Sequence, residues 1–168
     1  MPTATEIRPR GYREAVSRDK PLGFDLHTDQ ATSARMQRQR RRDTAVELAL
    51  RSRLHAAGLR YRIHQRPLPA LRREADIVFR RAKVAVFVDG CFWHGCPLHA
   101  TTPKRNNDFW VAKIDGNVAR DRSTDRALRD AGWQSIRIWE HETPDEAAAT
   151  VRRIVESRSG QGRLDELP

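Results

Sequence analysis

Between Lys83 and His99 the chain reads K-V-A-V-F-V-D-G-C-F-W-H-G-C-P-L-H, a stretch that holds both cysteines of the protein, two histidines, a carboxylate and an adjacent aromatic pair. Side chains of these types ligate metals and transfer protons. Cys91, Cys96 and His99 follow the spacing C-x4-C-x2-H, and His141, just past a later apolar stretch, is the expected fourth ligand of a tetrahedral zinc ion. A closed set of two cysteines and two histidines makes that zinc structural, a pin for a loop with little core of its own. Two buried thiols with unrelated histidines are the alternative. His94 is left over from the four ligand places and is free for general acid/base work. Asp76, a lone acid within A-D-I-V-F, would bind a catalytic magnesium ion, with Asp89 or the Val88 carbonyl as a further ligand. Glu47 could orient water or His94, although a helix cap by itself also accounts for it. Together these groups suit phosphodiester hydrolysis, in which magnesium polarises the phosphate and activates the attacking water.

The elements that must position these groups follow from patterning. Lys83 to Val88 is apolar and valine-rich, a buried strand that Asp89-Gly90 ends with a turn signal. Ala75 to Phe79 is a second strand, joined to it through Arg80-Arg81-Ala82, and an antiparallel pairing would bring Asp76 and Asp89 to the same end of the hairpin. Upstream, Thr44-Ala45-Val46-Glu47 reads as a capping box, and Val46, Leu50, Leu54 and Ala57 keep helical spacing until Gly58. Tyr61 to Ile63 is a short strand. Downstream, a long helix is expected over 108–131, with Trp110, Ile114, Val118 and Leu128 on its period and Gly132 as its stop. Trp133 to Trp139 alternates as a further strand, and Thr143-Pro144-Asp145-Glu146 opens a last helix running to about Ser157.

The chain of 168 residues suffices for one domain with a real core, here 43–157, between a basic, flexible arm over 1–42 and a loose tail over 158–168. The arm carries Pro2, Pro9 and Pro21 and ends in the arginine-rich run Arg38 to Arg42. A net charge of +10, with 32 Lys+Arg, favours a polyanionic partner, nucleic acid first, because cations gain free energy by displacing counterions from phosphates. The alternative is a generally basic surface from biased arginine usage. No apolar run approaches a membrane span and no signal core opens the chain, so a cytoplasmic protein with reduced cysteines is expected. Phe92 and Trp93 sit in a glycine-flanked loop. Exposed, they would serve as wedges between base steps; buried, they would cap the sheet.

The segments V-D-G-C-F-W-H-G-C-P-L-H, D-F-W-V-A-K-I-D-G-N-V-A-R-D-R and G-W-Q-S-I-R-I-W-E-H resemble the very short patch repair (Vsr) DNA mismatch endonucleases, with similarity over 33–142. The resemblance implies a restriction-endonuclease-like α/β fold, a central mixed sheet flanked by helices, with a structural zinc site. It implies magnesium-dependent nicking of duplex DNA on the 5′ side of the thymine in T:G mismatches left by deamination of 5-methylcytosine. By position, Asp76 matches the magnesium-binding aspartate, His94 the catalytic histidine and Glu47 an active-site glutamate; Cys91, Cys96, His99 and His141 match the zinc ligands. Phe92, Trp93 and Trp110 match aromatics that intercalate from the major groove, and Met36 an arm residue approaching from the minor groove; Lys113 completes the expected DNA-binding set. The chain departs from the best-known pattern at Val88 and Asp89, which replace a threonine and a histidine, and exchanges cysteine and histidine at positions 96, 99 and 141. A monomer acting on mismatched duplex is expected, functionally linked to a cytosine-5 DNA methyltransferase and to repair proteins. The rival readings are a restriction-like nuclease for other distorted or modified DNA and a non-catalytic zinc-stabilised DNA-binding module.

Overall fold

The structure, a computed structural model, describes residues 42–101 and 103–164, with side chains as far as 160. The expected arm, including Met36, therefore lies outside the described residues except for Arg42.

Helix α1 (Ala45–Ala56) starts at Thr44, whose hydroxyl accepts the Glu47 N–H, while the Glu47 carboxylate accepts from Thr44 Oγ1 (3.0 Å) and from the Asp43 N–H (3.1 Å). The Thr44–Glu47 pair is that of the expected capping box, satisfying the Glu47 N–H of the first turn, while the carboxylate closes on the Asp43 N–H one residue before the cap. The buried stripe differs from the expected one. It consists of Glu47, Leu50, Arg51 and Leu54, whereas Val46 is half-buried and Ala57 is an exposed cap. Two charged residues can face inward because Arg51 Nη2 donates to Glu47 Oε2 at 2.9 Å, one turn apart.

Strand β1 (Arg62–Gln65) lies slightly later than expected, because Tyr61 is spent on packing edge-on against Phe79 and donating its hydroxyl to the Arg51 carbonyl at 2.8 Å. Strands β2 (Ala75–Phe79) and β3 (Val84–Asp89) form the expected antiparallel hairpin, with Ile77 opposite Val86 and Phe79 opposite Val84. Asp89 belongs to β3 rather than to the turn after it, because it pairs with Trp139 of β4 (Gln134–Trp139). The sheet order is β1-β2-β3-β4, antiparallel except for the parallel β3–β4 pair. A parallel pair needs a crossover, and helix α2 (Asn107–Asp130) supplies it. Gly132, at φ +76°, ends this helix as the sequence predicts. Helix α3 (Pro144–Leu164) is capped by Thr143 and Glu146 but runs past Ser157, and Arg158 anchors its far half by donating to the carbonyls of Ala82 (2.8 Å) and Gly132 (2.6 Å).

Alternation along the strands divides the molecule into three layers. One face of the sheet, Ile77, Phe79, Val84, Val86, Ile136 and Ile138, packs against Leu50 and Leu54 of α1 and against Ala147, Ala148, Val151 and Val155 of α3. The other face sets Val78, Ala85 and Phe87 against Leu128 of α2. Leu54 is fully buried in the larger layer, so Leu54→Ala should cost about 2–5 kcal/mol of stability, read from the shift of a urea midpoint at unchanged slope. The same alternation carries Asp89, two residues beyond Phe87, and Arg137, between Ile136 and Ile138, toward the α2 side. Among the described residues, no helix is long and apolar enough to cross a membrane.

Candidate active site

The end of β3 delivers Asp89 and the loop after it to the edge of the sheet, where α2 contributes Asp121 and β4 contributes Arg137. His94 Nδ1 lies 2.6 Å from Asp121 Oδ2 and 3.6 Å from Asp89 Oδ1. Arg137 Nη1 donates to both Asp89 oxygens (3.0 and 2.8 Å), Nη2 lies 3.3 Å from Asp121 Oδ1, and Nε donates to Asp125 Oδ2 at 3.1 Å. Burial opposes the imidazolium of His94, but its hydrogen bond to Asp121 and the charges of Asp89 and Asp121 outweigh this and raise its pKa. Burial likewise disfavours the Asp121 carboxylate, yet His94 and Arg137 more than offset it and hold that carboxyl below its usual range. For Asp89 burial wins over Arg137 and His94, so its pKa is raised.

Asp76 stands on β2 beside this group, and its Oδ2 accepts the Val88 N–H at 2.7 Å. Burial pushes its pKa up; the Val88 hydrogen bond opposes that shift, as does the charge of His64, while Glu47 and Asp89 reinforce it. The charge of Asp89 is thus part of the field that Asp76 meets, as their expected approach requires. Glu47 is held by its cap and by Arg51, whose Nη1 also reaches Asp43 Oδ1 at 2.5 Å. His64 completes this second cluster, with Nε2 3.1 Å from Arg51 Nη2 and 3.2 Å from Asp43 Oδ1. Its backbone has φ +48°, rare for a residue with a Cβ, at the strand position flanked by the pairs Ile63–Ile77 and Gln65–Ala75 and so opposite Asp76.

The loop from Gly90 to Ala100 is built from short backbone bonds, His94 N–H to the Gly90 carbonyl (3.1 Å) and Cys96 N–H to that of Cys91 (3.0 Å). Gly95 has φ +64°, and a Cβ there would stand 3.3 Å from Ile114 Cγ2, so a side chain at this position would be strained and would press the loop away from α2 by a few tenths of an ångström. These turns bring Cys91, Cys96 and His99 together with His141, which follows β4, and all four donor atoms lie within 4.8 Å of one another. The sulfur-to-Nδ1 separations are 3.1 and 4.0 Å from Cys91, and 3.7 and 3.8 Å from Cys96. Zinc bond lengths at tetrahedral angles require about 3.6 Å for such an edge. The donor set therefore fits a tetrahedral zinc ion. Desolvation and the neighbouring Cys96 push the Cys91 thiol up to about 11, the condition a bound cation would relieve.

The aromatic residues form one cluster rather than separate exposed wedges. Phe92 and Trp93 meet edge to face at 5.1 Å, and Trp110 meets them at 5.4 and 5.8 Å. Trp110 is 9% exposed and forms the base of the cluster, while Phe92 and Trp93 are half-buried. Lys113 Nζ lies 5.4 Å from the Trp93 ring centre and 5.6 Å from that of Trp110, a cation held over the aromatic faces. The Asn117 amide donates to the Trp93 carbonyl at 2.7 Å and fixes the loop to α2.

Patterning alone did not single out Asp121, Asp125, Arg137, Arg51, His64 or Asp43. A signal for the first two was present. On the α2 period that buries Trp110, Ile114 and Leu128, the intervening places are taken by Asn117, Asp121, Thr124 and Asp125, polar residues where a core-facing helix would carry apolar ones.

Comparison with known proteins places this geometry in context. The family model described as DNA mismatch endonuclease Vsr matches residues 24–99. The type II nicking enzyme V.NaeI of Lentzea aerocolonigenes is 46% identical over 121 residues, covering 71% of this chain and 73% of that protein. The type II nicking enzyme V.XorIIP of Xanthomonas oryzae is 40% identical over 119 residues, covering 70% and 85%. The DNA mismatch endonuclease Vsr of Escherichia coli is 36% identical over 118 residues, covering 69% and 73%.

Proposed function

Because the chain belongs to the Vsr family and is a DNA endonuclease, we propose that it nicks duplex DNA on the 5′ side of the thymine in T:G mismatches, using magnesium at Asp76 and a structural zinc at Cys91, Cys96, His99 and His141. The architecture on this reading is restriction-endonuclease-like. One observation carries the catalytic assignment: of the six acids Asp43, Glu47, Asp76, Asp89, Asp121 and Asp125, Asp76 alone has no guanidinium partner among the described residues. Asp43 and Glu47 are paired with Arg51, and Asp89, Asp121 and Asp125 with Arg137. An unpaired, half-buried carboxylate among like charges favours a divalent cation, and magnesium there would polarise the scissile phosphate and acidify the attacking water.

The chain's own residues do the rest. A neutral His94 that donates its Nδ1–H to Asp121 presents the Nε2 lone pair, which accepts the proton of the attacking water as its oxygen bonds to phosphorus and the P–O3′ bond breaks, the departing 3′ oxygen taking a proton from solvent. Asp121 fixes that tautomer and stabilises the imidazolium that results. Asp89, held on both oxygens by Arg137, is engaged neither by the metal nor by the His94 ring, and Glu47 maintains the negative field around Asp76. Phe92 and Trp93, backed by Trp110, would enter the base stack at the mismatch, with Lys113 near the backbone and Met36 approaching from the other groove. The net charge of +10 supplies non-specific attraction to phosphates. The enzyme works as a cytoplasmic monomer, and its natural lesion implies a cytosine-5 methyltransferase and downstream repair proteins.

The relatives named as type II nicking enzymes favour a second reading, a restriction-like nuclease for another distorted or modified duplex. Incubation with magnesium and a T:G duplex pool carrying randomised flanks separates the two. The expected product is a single nick at the thymine, absent from the matched T:A pool. Equal cutting of matched DNA would replace the mismatch reading with the restriction-like one, and binding without cleavage in any divalent metal would leave only a zinc-stabilised binding module.

A further inference from the structure

His94 has two carboxylates within reach of one ring nitrogen, and only one of them can orient the imidazole for proton transfer. Asp121 Oδ2 is at 2.6 Å and Asp89 Oδ1 at 3.6 Å. What separates them is Arg137. Its Nη1 takes both oxygens of Asp89, its Nη2 lies against the other oxygen of Asp121, and its Nε is tied to Asp125 of the same helix. We propose that Arg137 is a positioning residue of the nicking reaction, a fixed cation that keeps Asp89 from hydrogen-bonding to His94 and leaves Asp121 as its sole hydrogen-bond partner.

The inference rests on the catalytic reading of His94 given above and extends it to a residue that touches neither phosphate nor metal. Three features support a built device over an incidental ion pair. Arg137 lies on a sheet strand between two core isoleucines, so its stem cannot wander. The guanidinium carbon sits 4.9 Å from the Phe87 ring centre, which fixes the plane of the fork. All three faces of the fork meet carboxylates, two from α2 and one from β3, so the side chain sets the distance between helix and strand where His94 stands between them. Without the cation, Asp89 and Asp121 would face each other unshielded and His94 would bridge both, its ring drawn away from the orientation that Asp121 alone imposes.

Methionine is the informative replacement, because it keeps an apolar stem against Phe87 while removing the fork. In single-turnover assays on the T:G duplex, Arg137→Met should slow nicking about 10- to 100-fold, the range of a misplaced general base, while the Kd for the duplex stays at its parent value. Adding Asp89→Asn removes the competing carboxylate together with the lost cation, and the double variant should recover most of the rate. Arg137→Lys keeps the charge without the fork and should fall between parent and Arg137→Met; it substitutes for the methionine variant if that protein melts early. The proposal is overturned if Arg137→Met, or Arg137→Lys where the former does not fold, nicks at the parent rate. It is equally overturned if the double variant folds and binds like the parent yet stays as slow as the single one, because a mere brace would give that result. Should the parent cut only another DNA, the mismatch reading fails by itself and the same comparison runs on that substrate.

Discussion

Asp76→Ala should nick a T:G duplex about 10³-fold more slowly than the parent chain, the equivalent of the several kcal/mol that a metal contributes to a phosphoryl transition state. The argument is one of charge. Burial and the fields of Glu47 and Asp89 disfavour the Asp76 carboxylate, with only the Val88 N–H and His64 opposing them. A group in that position has most to gain from a cation, and the nearby arginines are already committed to other acids. Binding should not weaken, since the substitution removes a negative charge from the path of a polyanion. Asp76→Asn keeps an oxygen for the Val88 N–H and controls for damage to the hairpin; it should be as slow as the alanine variant. Rapid-quench cleavage alongside gel-shift affinity measures both quantities. Nicking by either variant at the parent rate would falsify the assignment of Asp76.

The second large effect lies at the cysteine–histidine centre. Cys96 is fully buried and its sulfur stands 3.7 and 3.8 Å from two imidazole nitrogens, so Cys96→Ser should lower zinc from about one equivalent to almost none. Loss of a structural metal belongs among the largest single-site losses of stability, which for a chain of this size corresponds to a fall in Tm of about 10 °C or more. Nicking should fall with it, because the loop that the four residues close is also the loop that carries Phe92, Trp93 and His94. A strong chelator applied to the parent protein should reproduce both losses. If the parent contains no zinc and melts unchanged with chelator, the four side chains merely pack together.

Much of this was legible in the sequence because it is local. The capping boxes at Thr44 and Thr143, the strand at Ala75–Phe79 and the glycine stop at Gly132 depend on neighbours a few residues apart, and they lie where patterning puts them. The four cysteine and histidine donors were legible for a different reason, since thiols and imidazoles at close spacing have few other uses in a reduced chain. The two arginines were not. Arg51 reads as an exposed helix residue and Arg137 as the polar member of an alternating strand, and each is recruited inward only by acids that the fold brings from elsewhere, Glu47 and Asp43 for one, Asp89, Asp121 and Asp125 for the other. Nor does β1 betray His64, with its positive φ and its place opposite Asp76. The aromatic loop was ambiguous from the start. Its residues turn out neither fully exposed nor interior, because Trp110 reaches up from α2 to meet them.

The parallel pairing of β3 with β4 also has a consequence in time. During synthesis Asp76, Asp89 and both cysteines leave the ribosome well before Asp121, Arg137 and His141, and β3 has no parallel neighbour until α2 and then β4 have emerged. A nascent chain therefore holds the acids without the partners that orient them. These side chains meet only once β4 has docked beside β3, so the arrangement at the sheet edge is the last part of the fold to be completed.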